Sequence, residues 1–168
     1  MKTIQIQKLS REAFAKYGEY LDLLNDAELK EKSFFPGGFF NDVMKLNFGY
    51  KAVPTISVCQ VFKKDEMAVR MLETHDLTSE VLIPLDDDVV IFAGVAMPGR
   101  PLSTDNLEAF LIPKGTAVQL NPLVVHGTQF PVNAEEAHVI CMLPNRTAYH
   151  DMNAVHLSEE DKALLVFA

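Results

Sequence analysis

The sequence predicts a mainly β fold, a barrel or sandwich of short strands entered through a short N-terminal helix. Short apolar or alternating runs succeed one another from Met44 to Leu143. Turn-forming clusters separate them at Lys63-Lys64-Asp65, Asp86-Asp87-Asp88, Met97-Pro98-Gly99-Arg100-Pro101, Pro113-Lys114-Gly115 and Pro131-Val132-Asn133. Sustained helical periodicity is confined to the chain before Leu21. Many short strands with so little helix between them are the pattern of sandwiches and barrels.

In chain order, residues 3–7 alternate polar and apolar side chains as a short strand. Ser10 offers a capping oxygen to the segment that begins at Arg11. Phe14, Tyr17 and Leu21 recur at helical spacing, which predicts an amphipathic helix over 11–21 that Gly18 can end early. Residues 25–32 are charged and aperiodic, a solvated loop. Phe34-Phe35-Pro36-Gly37-Gly38-Phe39-Phe40 places aromatic rings around a turn, expected to cover the open end of a core, with a lid over a pocket or a dimer contact as the alternatives. Strands are expected at 44–48, 55–62, 67–75, 80–85, 89–96, 107–112, 116–120, 124–130 and 137–143, and a last helical turn at 158–162.

At 168 residues the chain fits one domain, 1–168, without repeat or linker. A domain of this length buries roughly 70% of the surface its unfolded chain exposes, so no disulfide or metal staple is required. A net charge of -8 argues against nucleic acid and against an anionic membrane, both of which select a basic surface. The N-terminus Met1-Lys2-Thr3-Ile4-Gln5-Ile6 lacks the apolar core of a signal peptide, and no apolar run reaches membrane-span length. A cytoplasmic protein is expected. Cys59 and Cys141 both lie in apolar strand-like runs and read as reduced, buried thiols.

Two distant segments carry the groups with chemistry. Alternate residues of a strand share one face, so if Met67, Val69 and Met71 point inward, Glu73 and His75 follow them. Glu80 comes five residues after His75, and a later apolar run from Gly115 ends at His126. The spacing predicts one site built from both segments. Each residue also has a plainer reading: His75 as a hydrogen-bonded core histidine, Glu80 as a strand-start carboxylate facing water, His126 as a loop histidine beside Pro122.

The β-rich pattern with these histidines resembles the cupin barrel, a jelly-roll-like double-stranded β-helix with ligand motifs on two segments. The first motif of that fold has His-x-His, then Glu, then a glycine turn. Here Glu73-Thr74-His75 is followed by Glu80, with Asp87 at the glycine position. The second motif keeps Gly115 and His126, with Asn121 and Leu123 at the turn positions.

A closer resemblance is to the ureidoglycolate lyase family. It rests on the opening Leu9-Ser10-Arg11-Glu12-Ala13-Phe14-Ala15-Lys16-Tyr17-Gly18-Glu19, on Glu73-x-His75, Ile83-Pro84-Leu85 and Leu107-Glu108-Ala109-Phe110. Gly115, the run ending at His126 and the terminal Val166-Phe167-Ala168 add to it. Where that family tends to carry Trp-His-His this chain has Val125-His126-Gly127, and where it often has a strand arginine this chain has Cys59-Gln60.

The resemblance implies release of urea from ureidoglycolate to give glyoxylate, in purine and allantoin breakdown, by a homodimer. Such a step needs an acid/base group and an anchor for the substrate carboxylate. His75, His126, Glu73 and Glu80 are the expected catalytic residues, with Arg146 and Gln60 as expected substrate contacts. The same Glu73, His75, Glu80 and His126 suit a divalent metal, Ni, Zn, Mn or Fe, with a metal-free route as the alternative. Two other functions fit the same residues: a cupin isomerase or epimerase on a sugar or sugar acid, and a non-catalytic cupin that binds a small ligand.

Overall fold

The computed structural model describes residues 2–33, 38–49 and 51–168. The chain opens with β1 (Lys2–Lys8), α1 (Arg11–Phe14), β2 (Gly18–Asp22) and α2 (Asp26–Lys32). Then come β3 (Pro54–Phe62), β4 (Ala68–Val69), β5 (Met71–Thr74), β6 (Glu80–Pro84), β7 (Val89–Val95) and β8 (Glu108–Ile112). The rest is β9 (Thr116–Leu120), β10 (Val124–Val125), β11 (Phe130–Pro131), β12 (Glu136–Pro144), α3 (Thr147–His150), β13 (Asn153–His156) and β14 (Ala163–Val166). No helix among the described residues is long and apolar enough to cross a membrane.

One sheet runs β2-β9-β6-β12-β3, and a second runs β10-β7-β8-β1-β14-β4 with β11 also on β7. Between them lies a core of Phe14, Tyr17, Leu82, Ile91, Phe110, Val118 and Val139. Strand alternation produces a second core on the other face of the same strands. Along β7, Val89, Ile91 and Ala93 enter the first, while Val90 and Phe92 join Leu72, Ala109 and Leu165 in the second. A strand buried on both faces reads as a continuous apolar run, which is how 89–95 looks in sequence.

Several expectations need correction. The helix over 11–21 ends after Phe14, and its second half is β2, paired with β9. Ser10 does cap it, accepting from the Ala13 N–H at 3.2 Å. The spacing of Phe14, Tyr17 and Leu21 is satisfied by a turn followed by a strand, all three being buried. Gly18 makes that switch sterically feasible, since a Cβ there would lie 1.8 Å from the Gln119 carbonyl oxygen. The loop expected at 25–32 contains α2, capped by Asn25, with Asp26 and Glu28 in its first turn and Lys30 and Lys32 in its last. Only Leu29 of α2 is buried, so no apolar stripe announces it.

No strand forms over 44–48. The run 67–75 is broken at Arg70, because β4 pairs with β14 whereas β5 pairs with β13. Val69 and Leu72 both enter the second core, so the alternation slips by one and Val69 does not share the face of Glu73. The run 124–130 is also interrupted. Val125 pairs with Gly94 and Phe130 with Val90, so the four residues 126–129 span the interval that three, 91–93, span on β7, and His126 pairs instead with Glu73. The extra residue shifts the alternation by one before Phe130, which returns to the second core. Residues 158–162 form a hydrogen-bonded turn on the Ser158 carbonyl. α3, β13 and β14 are additional to the expectation. In the aromatic turn, Phe34, Phe35, Pro36 and Gly37 lie outside the described residues, and Phe39 is exposed.

Candidate active site

The slip at Arg70 and the ordinary alternation Val124, Val125, His126 place the chemistry. Leu72 packs outward into the second core, so Glu73 and then His75 turn toward the space between the sheets. Across from them the chain at His126 leaves β7 and pairs with Glu73 as a single bridge. Leu82 on β6 points into the first core, which carries Glu80, two residues earlier, inward as well. Cys141 follows Val139 on the same face of β12.

His75, Glu80 and His126 are 4%, 5% and 3% exposed, and one donor atom from each lies within 4.8 Å of the others. His75 Nδ1 is 2.6 Å from the Asp151 carbonyl and His126 Nδ1 is 2.8 Å from the Val124 carbonyl. A carbonyl only accepts, so both Nδ1 atoms carry protons. The two Nε2 atoms therefore face Glu80 Oε2, at 3.2 Å from His75 and 2.7 Å from His126. The thiol of Cys141 donates to the other oxygen, Glu80 Oε1, at 2.9 Å. Glu73 stands just outside, its Oε1 3.7 Å from His126 Nε2.

The two carboxyl groups are driven apart in acidity. Burial opposes ionisation of Glu80, but the charge of His126 and hydrogen bonds from His126, His75 and Cys141 hold it far below the usual carboxylate range. Burial raises Glu73 above its ordinary value; His126 opposes this, Glu80 adds to it and His75 opposes it again. For His126 burial disfavours the charged ring, yet Glu80 and then Glu73 push it up to about 9. His75 is also raised, against burial, by its bonds to Glu80 and the Asp151 carbonyl. One carboxyl kept ionised beside one pushed toward neutrality is the arrangement that separates a fixed charge from a proton carrier.

His75, Glu80 and His126 can hold a metal ion. Each imidazole has its Nδ1–H fixed on a carbonyl and its Nε2 turned inward to ligate, the arrangement that orients metal-binding histidines. Metal binding needs the neutral ring, so a cation competes with the proton on His126 Nε2. Glu73, expected in the same ligand set, lies at the edge of this group and is not among the three mutually close residues.

Of the two expected substrate contacts, Gln60 is not brought to the cluster. Gln60 lies on the outer face of β3 and donates to Glu136 at 3.1 Å. Its neighbours Cys59 and Val61 take the inward positions, so strand alternation excludes it. Arg146 is exposed, in a left-handed conformation with φ 63° just before α3. Two residues not anticipated matter more. The Asp151 carboxylate accepts from the N–H groups of Asp76 and Leu77 while its carbonyl holds His75, so it fixes the loop from both sides. A contact made by a carbonyl leaves no mark in sequence. Cys141 is legible only through its alternation with Val139. A cavity of about 570 Å³ beside β7, lined by Met97, Arg100, Leu107 and Val125 among others, contains none of the cluster residues.

The curled sheets and the histidine and glutamate cluster between them define a cupin-like jelly-roll protein. A dTDP sugar isomerase from Desulfovibrio desulfuricans G20 shares the fold at TM-score 0.52 and 13% identity, over 73% of this chain and 73% of that one. A dTDP-4-dehydrorhamnose 3,5-epimerase from Elizabethkingia anophelis NUHP1 gives 0.45 at 10% identity, over 70% and 67%. No curated protein matches the sequence. A family model described as ureidoglycolate lyase matches residues 1–163, and the chain belongs to that family.

Proposed function

We propose that the protein releases urea from ureidoglycolate to give glyoxylate, with Glu73 as the proton carrier beside a metal held by His75, Glu80 and His126. The observation that carries this reading is the placement of a burial-raised carboxyl, Glu73, against that cluster in a member of the ureidoglycolate lyase family.

The substrate is a carbinolamide. Glu73 takes the hydroxyl proton as the C=O bond forms, and the pair of electrons in the C–N bond leaves with the ureido nitrogen. The same carboxyl then returns the proton to that nitrogen, so urea and glyoxylate depart and Glu73 is regenerated. Glu80 cannot share this task, because a carboxylate that ligates a cation is ionised, and Cys141 donates to its other oxygen. A divalent ion held by His75, Glu80 and His126 would anchor the substrate and make its hydroxyl more acidic. That anchor would serve where Gln60, on the outer face of β3, does not reach. In this reading residues 1–168 act as one domain, in the cytoplasm, as a homodimer. The homodimer is supported by β3, an edge strand whose Ile56, Val58 and Phe62 are 69%, 57% and 53% exposed.

The test is urea and glyoxylate release from racemic ureidoglycolate by chelator-treated protein, then by protein reloaded separately with Ni, Mn, Zn and Fe. Activity restored by a metal and abolished in His126→Ala with the fold intact by circular dichroism is the expected result. No release under any condition would leave the family's fold without this activity. The same assay run with keto sugars would then examine the isomerase alternative, which would use Glu73 for proton transfer beside a carbonyl.

A further inference from the structure

Cys141 touches the cluster at its least obvious point. Its Sγ lies 2.9 Å from Glu80 Oε1, and both residues are buried, at 6% and 5% exposure. A sulfur this close to a carboxylate oxygen needs a proton between them, so the thiol is the donor. Glu80 is thus held at both oxygens, Oε1 by Cys141 and Oε2 by the two imidazoles. The terminal torsion of a glutamate is broad and two-fold, so contacts at one oxygen alone leave the carboxylate plane poorly defined. The thiol also packs in the apolar core with Leu82 and Val139 and lies against the Cys59 side chain, which limits its movement.

We propose that Cys141 is a positioning residue: its thiol fixes Glu80 Oε1 so that Oε2 is aimed where the Nε2 atoms of His75 and His126 converge, and this sets the metal affinity of the cluster. The inference rests on reading His75, Glu80 and His126 as a metal site. Cys141 is not among the residues whose donor atoms converge, which are His75, Glu80 and His126, so it acts on the site through Glu80.

The experiment uses the full chain, stripped of metal and titrated calorimetrically with cobalt(II) and manganese(II), for the wild type, Cys141→Ser, Cys141→Ala and Cys141→Val. Serine keeps a donor, alanine removes it, and valine removes it while filling the space. Loss of an outer hydrogen bond to a ligand weakens metal binding by about 10- to 100-fold, and this is expected for Cys141→Ala and Cys141→Val. Cys141→Ser retains most of the wild-type affinity. The cobalt spectrum provides a second readout: without sulfur ligation, the wild type and Cys141→Ser both lack thiolate-to-cobalt charge transfer. Thermal melts followed by circular dichroism confirm that each variant is folded at the titration temperature.

Equal affinity in all four proteins, or equal losses in the serine and alanine variants, would overturn the proposal and leave Cys141 a packing residue. A charge-transfer band in the wild type that vanishes in Cys141→Ser would overturn it by making Cys141 a ligand. Failure of the wild type to bind either ion would remove the metal reading together with this inference. Wild-type binding with unaffected variants would remove the inference alone.

Discussion

Glu73 and His126 exchange both of their main-chain hydrogen bonds, 2.9 Å from the Glu73 N–H and 3.0 Å from the His126 N–H. The pairing is a single bridge outside the regular ladders, and it sets the distance between the two side chains through the backbone. The bridge brings the Glu73 carboxylate within reach of His126 Nε2, at 3.7 Å. Glu73→Gln preserves shape and ladder and removes the proton carrier. Its kcat for urea release is expected to fall by about 10²- to 10⁴-fold, the usual worth of a general acid/base. The melting temperature should stay near wild type. An unchanged kcat would take Glu73 out of the chemistry.

Gly127 follows His126 at the position where the family resemblance implies a second histidine. A Cβ at 127 would lie 2.8 Å from Phe92 Cζ and 2.9 Å from the Met71 carbonyl oxygen. Phe92 is 2% exposed and has no room to withdraw. Packing in this chain therefore leaves no space for the missing ring. Gly127→Ala is expected to cost about 1–3 kcal/mol, the range for overpacking a filled core. Urea denaturation measures it, and a variant as stable as wild type would mean that Phe92 and β5 yield easily.

How far the sequence reaches can be judged from these same residues. Strands β6, β7, β9 and β12 are legible because apolar runs and turn residues bound them on both sides. Glu73, His75, Glu80 and His126 are legible as a group because polar side chains interrupt otherwise apolar runs. The errors have specific causes. At Arg70 and after Val125 the alternation slips by one, and a local pattern cannot report that β4 and β5 have different partners. For α2, a surface helix with one buried side chain has no stripe to read. Gln60 falls outside the cluster because strand phase decides which of two adjacent residues faces inward, and Cys59 holds that position.

Asp87 occupies the turn position where the cupin pattern has glycine. Its carboxylate accepts from the N–H groups of Val132, Asn133 and Ala134 at 3.0, 2.8 and 3.0 Å, and from Asn133 Nδ2 at 2.8 Å. Burial works against its charge, but these donors hold its pKa at about 2, below the ordinary 3.8. A carboxyl depressed on folding contributes stability that is complete above its unfolded pKa and is lost as pH falls through the folded one. Asp87→Asn is therefore expected to melt below wild type at neutral pH, by about 1–3 kcal/mol of stability. That gap should close between pH 3.8 and about 2. A gap that stays constant across this window would mean that the charge of Asp87 is not what the turn uses.

Leu123 has φ 66°, and its N–H donates to the His75 carbonyl at 2.7 Å. The strained backbone is thus coupled to the cluster. A left-handed conformation costs a residue with Cβ about 1–2 kcal/mol. Leu123 is 49% exposed, so little packing offsets the strain. Leu123→Gly is expected to stabilise the fold by about 0.5–1 kcal/mol after the entropy of glycine is counted. Leu123→Val, with a branched Cβ, should destabilise it. Denaturant midpoints for the pair decide the matter, and the reverse order would show that the apolar contacts of Leu123 outweigh its backbone strain.

β3 is the edge of its sheet, pairing with β12 alone among the described residues. Its 9 residues include no charge, and proline stands only at their start. Exposed edges are ordinarily protected by charge, proline, bulges or a covering element, because unpaired N–H and C=O groups invite another strand. Here Ile56, Val58 and Phe62 add an apolar outer face to that open edge. A second copy of β3, related by a two-fold axis, would satisfy both features at once, since an antiparallel pairing of identical strands is self-complementary. Sedimentation velocity across a concentration series is expected to show a dimer for the wild type. Val58→Lys should weaken it at least about tenfold, because a lysine at a closely packed interface must be desolvated or displaced. The substituted residue faces away from the cluster, so metal affinity should not change. A wild type that remains monomeric at the highest concentration would rule out the homodimer, and a Val58→Lys dimer of undiminished strength would place the interface elsewhere.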